Sequence, residues 1–127
     1  MANKFKVLIV EDETAISNFI ATTLKSNGYM ALLSSSGKEA LSMIASHCPD
    51  VILLDLGLPD IDGLEILKQL RKWSSIPVII VSARVNEEEK VEALDAGADD
   101  YITKPFGTSE LLARIRTAMR HASQNNT

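Results

Sequence analysis

Short apolar runs alternate with segments of helical periodicity along the chain. The runs are typical of buried strands, and they cover residues 5–10, 30–33, 51–54, 78–81 and 100–102. After each run, apolar residues recur every three or four positions, which predicts five helices, the last over about residues 108–121. This strict alternation favours a parallel sheet built from βα units.

The apolar character of the strands also predicts their order. The first, third and fourth runs are the most continuous and belong in the centre, whereas the second and fifth are more polar and suit edges. The order 2-1-3-4-5 satisfies this, and right-handed crossovers then place helices on both faces. We therefore expect an α/β fold of three layers.

Polar residues mark where several helices begin. Ser36, Asp62 and Asn86 each precede a helical segment, and their side chains suit the N-terminal cap. In the first helix, the periodicity assigns Phe19 to the buried face.

The composition excludes several classes of protein. The 127 residues suffice for one domain, and a net charge of −4 without a Lys/Arg cluster argues against direct binding of nucleic acid. No run approaches the roughly 18 apolar residues of a membrane span, so we expect a cytoplasmic protein without membrane contact. The single cysteine, Cys48, excludes an internal disulfide, and we expect its thiol to be partly buried at a helix end.

The polar residues that follow the strands carry the candidate chemistry. Glu11 and Asp12 follow the first strand, Asp55 follows the third, Ser82 the fourth and Lys104 the fifth. Because parallel strands end along one edge of the sheet, we expect these side chains to meet in a single site.

Three neighbouring carboxylates favour a cation between them. At 4 Å each pair repels by about 1 kcal/mol in water, and oxygen ligands suit Mg²⁺, or Mn²⁺, better than zinc. Asp55, at the tip of a central strand, has the position of a nucleophile toward phosphorus. Lys104 and the Ser82 hydroxyl would bind phosphoryl oxygens, and the small Ala83 would leave room for them.

Several spaced motifs together resemble the receiver domains of bacterial two-component response regulators. They are Glu11-Asp12, Asp55 with Leu58-Pro59 and Asp62-Gly63, Ser82-Ala83, and Tyr101 with Lys104-Pro105-Phe106. The resemblance covers residues 5 to about 121 and implies a flavodoxin-like fold. It implies a receiver domain over residues 1–121 and a polar linker or tail, 122–127, leading to a further domain.

The resemblance also implies a mechanism. Asp55 would accept a phosphoryl group from the phosphohistidine of a sensor histidine kinase, and the protein would promote only its own phosphorylation and dephosphorylation. A cis peptide bond is expected between Lys104 and Pro105. The implied magnesium ligands are Glu11, Asp12, Asp55 and the backbone carbonyl of Gly57, and the implied phosphoryl-binding residues are Ser82, Ala83 and Lys104.

A switch follows from the same resemblance. Phosphorylation would draw Ser82 toward the phosphate, and Tyr101 would turn inward into the vacated space. This movement would repack the face made by the fourth helix, the fifth strand and the fifth helix.

Residues 96–101 and 104–114 resemble the subfamily whose effector is a winged-helix DNA-binding domain and which dimerises through that face. Within it, residues 55–60, 71–74 and 82–84 resemble the regulators of a potassium-transport operon. The subfamily would regulate transcription as a homodimer. The charged pairs implied across the two-fold axis are Lys90 with Glu110, Asp100 with Arg114, and Asp99 with the position of His121, where the subfamily carries an arginine.

Three alternatives to this function remain open. A stand-alone receiver that acts on a protein target would share the same motifs. An aspartyl-phosphate hydrolase of the haloacid-dehalogenase type would need a second Asp two residues after the nucleophile, where this chain has Gly57. A flavodoxin-like or dinucleotide-binding module would need a loop rich in Gly, Ser or Thr after the first strand, where this chain has Glu11-Asp12-Glu13.

Overall fold

Five parallel strands form one sheet in the order β2-β1-β3-β4-β5, in a computed structural model that describes residues 5–84 and 86–125. The predicted α/β class and strand order are confirmed. The strands are β1 (Lys6–Val10), β2 (Met30–Ser34), β3 (Val51–Leu54), β4 (Val78–Ser82) and β5 (Asp100–Thr103).

Five helices alternate with the strands in the described part of the chain, as expected. They are α1 (Thr14–Ser26), α2 (Gly37–His47), α3 (Gly63–Leu70), α4 (Glu87–Asp95) and α5 (Thr108–Asn125). Helix α5 continues past its predicted end at His121, because no Gly or Pro interrupts the following polar residues. Part of the segment that we expected to be a linker is therefore helical.

Each central strand is buried on both faces, which accounts for its unbroken apolar sequence. In β1, Val7 and Ile9 belong to the core beneath α1 and α5, whereas Leu8 and Val10 belong to the core beneath α2, α3 and α4. Successive strand residues point to opposite faces, so the two cores alternate along each strand. The sheet is thus the middle of three layers.

Two predictions about side-chain burial were wrong. Phe19 is 50% exposed, because α1 packs through Ser17, Ile20 and Leu24, and Phe19 lies about 100° around the helix from Ile20. Cys48 is exposed and ends α2 in a left-handed conformation with φ 47°.

The predicted helix caps are confirmed. The Oγ of Ser36 accepts a hydrogen bond from the amide of Glu39 at 3.2 Å. Asp62 and Asn86 accept bonds from the amides two residues further on, at 2.9 and 2.7 Å. These caps fix where α2, α3 and α4 begin relative to the strand ends.

Helix α3 begins in direct contact with the end of β3. A Cβ atom on Gly63 would lie 2.7 Å from the Cα of Leu56 and would also overlap the carbonyl oxygen of Asp55. The Gly63 amide donates to the carbonyl of Leu56 at 3.0 Å. A glycine is therefore required where the chain returns to the strand it left.

Among the helices in the described ranges, none combines the length and the apolar composition needed to cross a membrane.

Candidate functional site

The carboxylates of Glu11, Asp12 and Asp55 come together at the C-terminal edge of the sheet. Val10 pairs with Leu54 in the β1–β3 register, so the residues after each strand are neighbours. One carboxylate oxygen from each of the three residues lies within 4.8 Å of the others. Glu11 and Asp55 are buried and Asp12 is exposed, which leaves the cluster open to solvent on one side.

Lys104 reaches this cluster from the end of β5. Its Nζ lies 2.6 Å from Oε1 of Glu11 and 3.6 Å from Oδ2 of Asp55, and its side chain is only 13% exposed. Burial opposes the charge on Lys104, but the hydrogen bond to Glu11 and the charge of Asp55 outweigh it and raise the lysine pKa. The lysine is therefore an ammonium ion at neutral pH.

The electrostatic balance of the cluster fits a divalent cation. Burial raises the pKa of Glu11 despite its hydrogen bond from Lys104, and the nearby charge of Asp55 acts in the same direction. By formal charge, three carboxylates and one ammonium sum to −2. The donors are oxygen atoms, which Mg²⁺ and Mn²⁺ prefer, so the residues present fit such an ion.

Backbone amides orient the two buried carboxylates. The amide of Gly57 donates to Oδ1 of Asp55 at 3.2 Å, and the amide of Glu13 donates to Oε2 of Glu11 at 3.1 Å. The other oxygen of each carboxylate then faces Lys104. Gly57 itself is exposed at the start of the loop that follows β3.

Ser82 ends β4 beside Lys104. Its side chain is 1% exposed, and its Oγ accepts a hydrogen bond from the Arg84 amide at 3.1 Å. The Lys104 amide donates to the Ser82 carbonyl at 2.8 Å, and the peptide bond between Lys104 and Pro105 is cis. Ala83 is exposed next to this group.

Tyr101 is turned inward in this structure. Its ring is 8% exposed, its hydroxyl donates to the Arg84 carbonyl at 2.8 Å, and the Nζ of Lys90 lies 5.5 Å from the ring centroid. Ser82 and Tyr101 therefore bind opposite ends of the same residue, since one contacts its amide and the other its carbonyl.

Sequence reasoning missed Arg84 as a residue of the site. Its guanidinium lies 3.7 Å from Glu89 and 4.0 Å from Asp62, so it links the starts of α3 and α4. The available signal was its position two residues after Ser82 and three residues before the acidic start of α4 at Glu87.

The residues predicted to form a dimer face make several contacts within one chain. Arg114 lies 3.3 Å from Asp100 and 3.6 Å from Glu110. Asp99 instead contacts Arg71 at the end of α3, and His121 is exposed on α5. These positions leave the intermolecular pairs as a prediction.

The fold and the acidic cluster are those of a receiver module, and comparison with known families agrees. Residues 7–116 match the family described as the response regulator receiver domain. The chain therefore belongs to the response regulator receiver domain family, which is regulatory rather than catalytic. Receiver domains of this family are phosphorylated by sensor histidine kinases and bind Mg²⁺ through acidic residues.

Two similar curated proteins are transcriptional regulators. The KDP operon transcriptional regulatory protein KdpE of Escherichia coli is 52% identical over 117 residues, which are 92% of this chain and 52% of that protein. The transcriptional regulatory protein KdpE of Mycobacterium tuberculosis is 51% identical over 114 residues, 90% of this chain and 50% of that protein. These matches agree with the resemblance seen in residues 55–60.

A solved structure supports the same assignment. The receiver domain of the Francisella response regulator 1452 matches with a TM-score of 0.89 and 41% identity, over 94% of this chain and 99% of that one. The chain spans about half the length of the curated relatives that it matches.

Proposed function

We propose that this chain is a phosphorylation-activated switch in which Asp55 accepts a phosphoryl group from a sensor histidine kinase. The observation that carries the proposal is the convergence of three carboxylates within 4.8 Å, with the Lys104 ammonium 3.6 Å from Asp55. The side chain of Asp55 accepts a hydrogen bond from the Gly57 amide and also lies beside the Lys104 ammonium. Because phosphorylation adds negative charge, these two groups would stabilise the product of attack by Asp55.

The transfer step is an attack by Oδ2 of Asp55 on phosphorus. The bond from phosphorus to the histidine nitrogen breaks, and its electron pair stays on the imidazole, which takes up a proton. Lys104 then offsets charge on the phosphoryl oxygens, and the Ser82 hydroxyl donates to one of them. In the separate dephosphorylation step, water attacks phosphorus and gives up a proton, the bond from phosphorus to Oδ2 of Asp55 breaks with its electron pair on the carboxylate, and inorganic phosphate leaves.

Glu11, Asp12, Asp55 and the Gly57 carbonyl are proposed to hold Mg²⁺, or Mn²⁺ in its place. When bound, the ion supplies positive charge that stabilises the phosphoryl oxygens during transfer. The formal charge of −2 and the oxygen donors support this assignment.

The output of the switch is proposed to be dimerisation through α4, β5 and α5. The dimer would regulate transcription in the cytoplasm through a DNA-binding effector domain that is not in this chain, joined through residues 122–127. The relatives named as transcriptional regulators support this output. Charged pairs of Lys90 with Glu110 and of Asp100 with Arg114 would hold the two copies together.

Phosphorylation can be tested by incubating the protein with acetyl phosphate and Mg²⁺ and measuring its intact mass. We expect the parent to gain one phosphoryl group and Asp55→Asn to gain none. Asp95→Asn, which removes an exposed carboxylate at the end of α4, is the matched control and should behave as the parent. Equal labelling of Asp55→Asn and the parent would rule out Asp55 as the acceptor.

Dimerisation can be tested by sedimentation velocity with and without beryllofluoride. We expect the activated parent to dimerise, Lys90→Glu to stay monomeric, and the charge-swapped Lys90→Glu/Glu110→Lys protein to recover dimerisation. A parent that remains monomeric in both states would contradict the proposed output of this domain.

A further inference from the structure

The loop after β3 carries a carboxylate that neither the phosphoryl step nor the metal uses. Asp60 lies five residues after Asp55, is exposed, and turns away from the acidic cluster toward α2. Its Oδ1 accepts a hydrogen bond from the Gly37 amide at 2.8 Å, and its Oδ2 accepts one from the Lys38 amide at 3.0 Å.

These two bonds complete the N-terminus of α2. The first amides of a helix have no partner inside the helix, and in α2 the Ser36 side chain satisfies only that of Glu39. Asp60 accepts from the two amides that precede it, so both of its oxygens are bound at the positive end of the helix dipole. The same bonds lower the pKa of Asp60, so it is ionised at neutral pH.

The loop and α2 are closely packed where they meet. Gly37 is buried, and a Cβ atom there would lie 2.6 Å from Cδ1 of Ile66 and 3.1 Å from Cβ of Ile61. The backbone of Gly37 therefore packs directly against the side chains of Ile61, in the loop, and Ile66, in α3. The short distance allows the Asp60 carboxylate to bridge the two elements.

The loop between β3 and Asp60 is thus held at both ends. At the site, the amide of Gly57 bonds to the Asp55 side chain at 3.2 Å. At the far end, Asp60 attaches the loop to α2, which supplies no residue to the acidic cluster. The Gly57 carbonyl lies between these two attachments along the chain.

We propose that Asp60 is a positioning residue for the metal site, because it anchors the loop that presents the Gly57 carbonyl to α2. The inference rests on the proposed magnesium site and adds a residue outside the ligand set. Groups that hold metal ligands in place typically change metal affinity by about 10- to 100-fold when they are removed. A backbone ligand on a loop depends on such groups for its position.

The test compares Asp60→Ala with Ser36→Ala, a control that removes a cap from the same end of α2 without touching the loop. Calorimetric titration with MgCl₂ gives the dissociation constant, and urea unfolding gives the stability of each protein. We expect Asp60→Ala to weaken Mg²⁺ binding on the order of tenfold. Ser36→Ala should lose stability to a similar extent and bind Mg²⁺ as the parent does.

A milder variant separates anchoring from folding. Asp60→Asn keeps one acceptor oxygen and the side-chain size, so we expect an intermediate loss of Mg²⁺ affinity. Faster hydrogen exchange at the Gly37 and Lys38 amides should accompany it in metal-free protein. If both Asp60 variants lose stability but bind Mg²⁺ like the parent, Asp60 is only a helix cap and the inference is wrong. If the parent itself binds no Mg²⁺, the proposed function fails first.

Discussion

Asp99 and Arg71 form an ion pair of 3.0 Å inside a single chain, between the α4–β5 turn and the end of α3. The same Asp99 oxygen accepts the Val78 amide at 2.9 Å. The guanidinium also donates to the carbonyls of Gly97 at 2.9 Å and Ser74 at 3.2 Å. Asp99 therefore belongs to a network that joins α3, β4 and the start of β5, although its sequence neighbourhood suggested a role between two copies.

Arg71→Met should lower the free energy of unfolding by about 2 kcal/mol. The substitution removes charge-assisted hydrogen bonds and leaves backbone carbonyls without their donor, which costs roughly 1–3 kcal/mol per buried group. Urea unfolding followed by circular dichroism measures the change. Arg114→Met is the control, because the Arg114 side chain is 46% exposed and its surface pairs should contribute less than about 1 kcal/mol. Equal losses in the two variants would show that Arg71 contributes no more to the free energy of unfolding than an exposed arginine.

Lys104→Met should destabilise the metal-free protein and at the same time tighten its binding of Mg²⁺. The substitution leaves the buried Glu11 and Asp55 without their cation, and removing one partner of a buried pair costs about 3–5 kcal/mol. A metal ion would then meet no competing ammonium. Thermal unfolding with and without MgCl₂ measures both effects, with Lys104→Arg as the control that keeps the charge. A metal-free Lys104→Met protein as stable as the parent would contradict this interpretation.

Mg²⁺ affinity should fall as the pH drops from 7 toward the raised pKa of Glu11. Burial raises the pKa of Glu11 above its ordinary 4.5, so protons compete for this carboxylate at a higher pH than for a solvated glutamate. The stability of the metal-free protein changes with pH in the opposite direction. The stabilisation that accompanies the raised pKa of Glu11 is fully present below the unfolded pKa and is lost as the pH rises through the raised pKa. Calorimetric titrations across this range provide the measurement. An affinity that begins to fall only at the ordinary glutamate pKa would be inconsistent with the shift.

Tyr101→Phe should lower the free energy of unfolding by about 1 kcal/mol. The variant keeps the buried ring but removes the hydroxyl that donates to the Arg84 carbonyl, and a typical hydrogen bond contributes about 0.5–1.5 kcal/mol. Denaturant unfolding measures the loss, and hydrogen exchange should quicken in the loop after β4. Tyr29→Phe, at a half-buried tyrosine before β2, is the matched control. A loss in Tyr29→Phe as large as in Tyr101→Phe would remove the reason to single out this bond.

The residues at the C-terminal edge of the sheet could be predicted from the sequence because the central strands are buried on both faces. The ends of such strands are marked by the first polar residue, so Glu11, Asp55 and Ser82 could be placed before any coordinates were known. The α/β class and strand order followed from the same apolar runs, and the observed sheet topology confirms them.

The contacts of the two arginines could not be predicted in this way. Arg84 acts through its backbone amide and carbonyl, which every residue carries, and Arg71 reaches Asp99 across 28 residues. Neither contact leaves a periodic signal in the sequence. The predicted burial of Phe19 was wrong for a related reason. The apolar periodicity of a helix defines its buried face only to within one residue.

The contact between Gly63 and the end of β3 has a consequence for how this chain can diversify. Residues 55–63 form a closed circuit, because the chain returns to touch the backbone of the residue from which it departed. An insertion in the circuit, or any side chain at its closing point, would move Asp55, the proposed phosphoacceptor. Differences in signalling partner between proteins of this type must therefore accumulate elsewhere, on exposed surfaces such as that around Phe19 or along α4. The number of residues in this circuit should therefore stay unchanged when the partner specificity of the domain is redesigned.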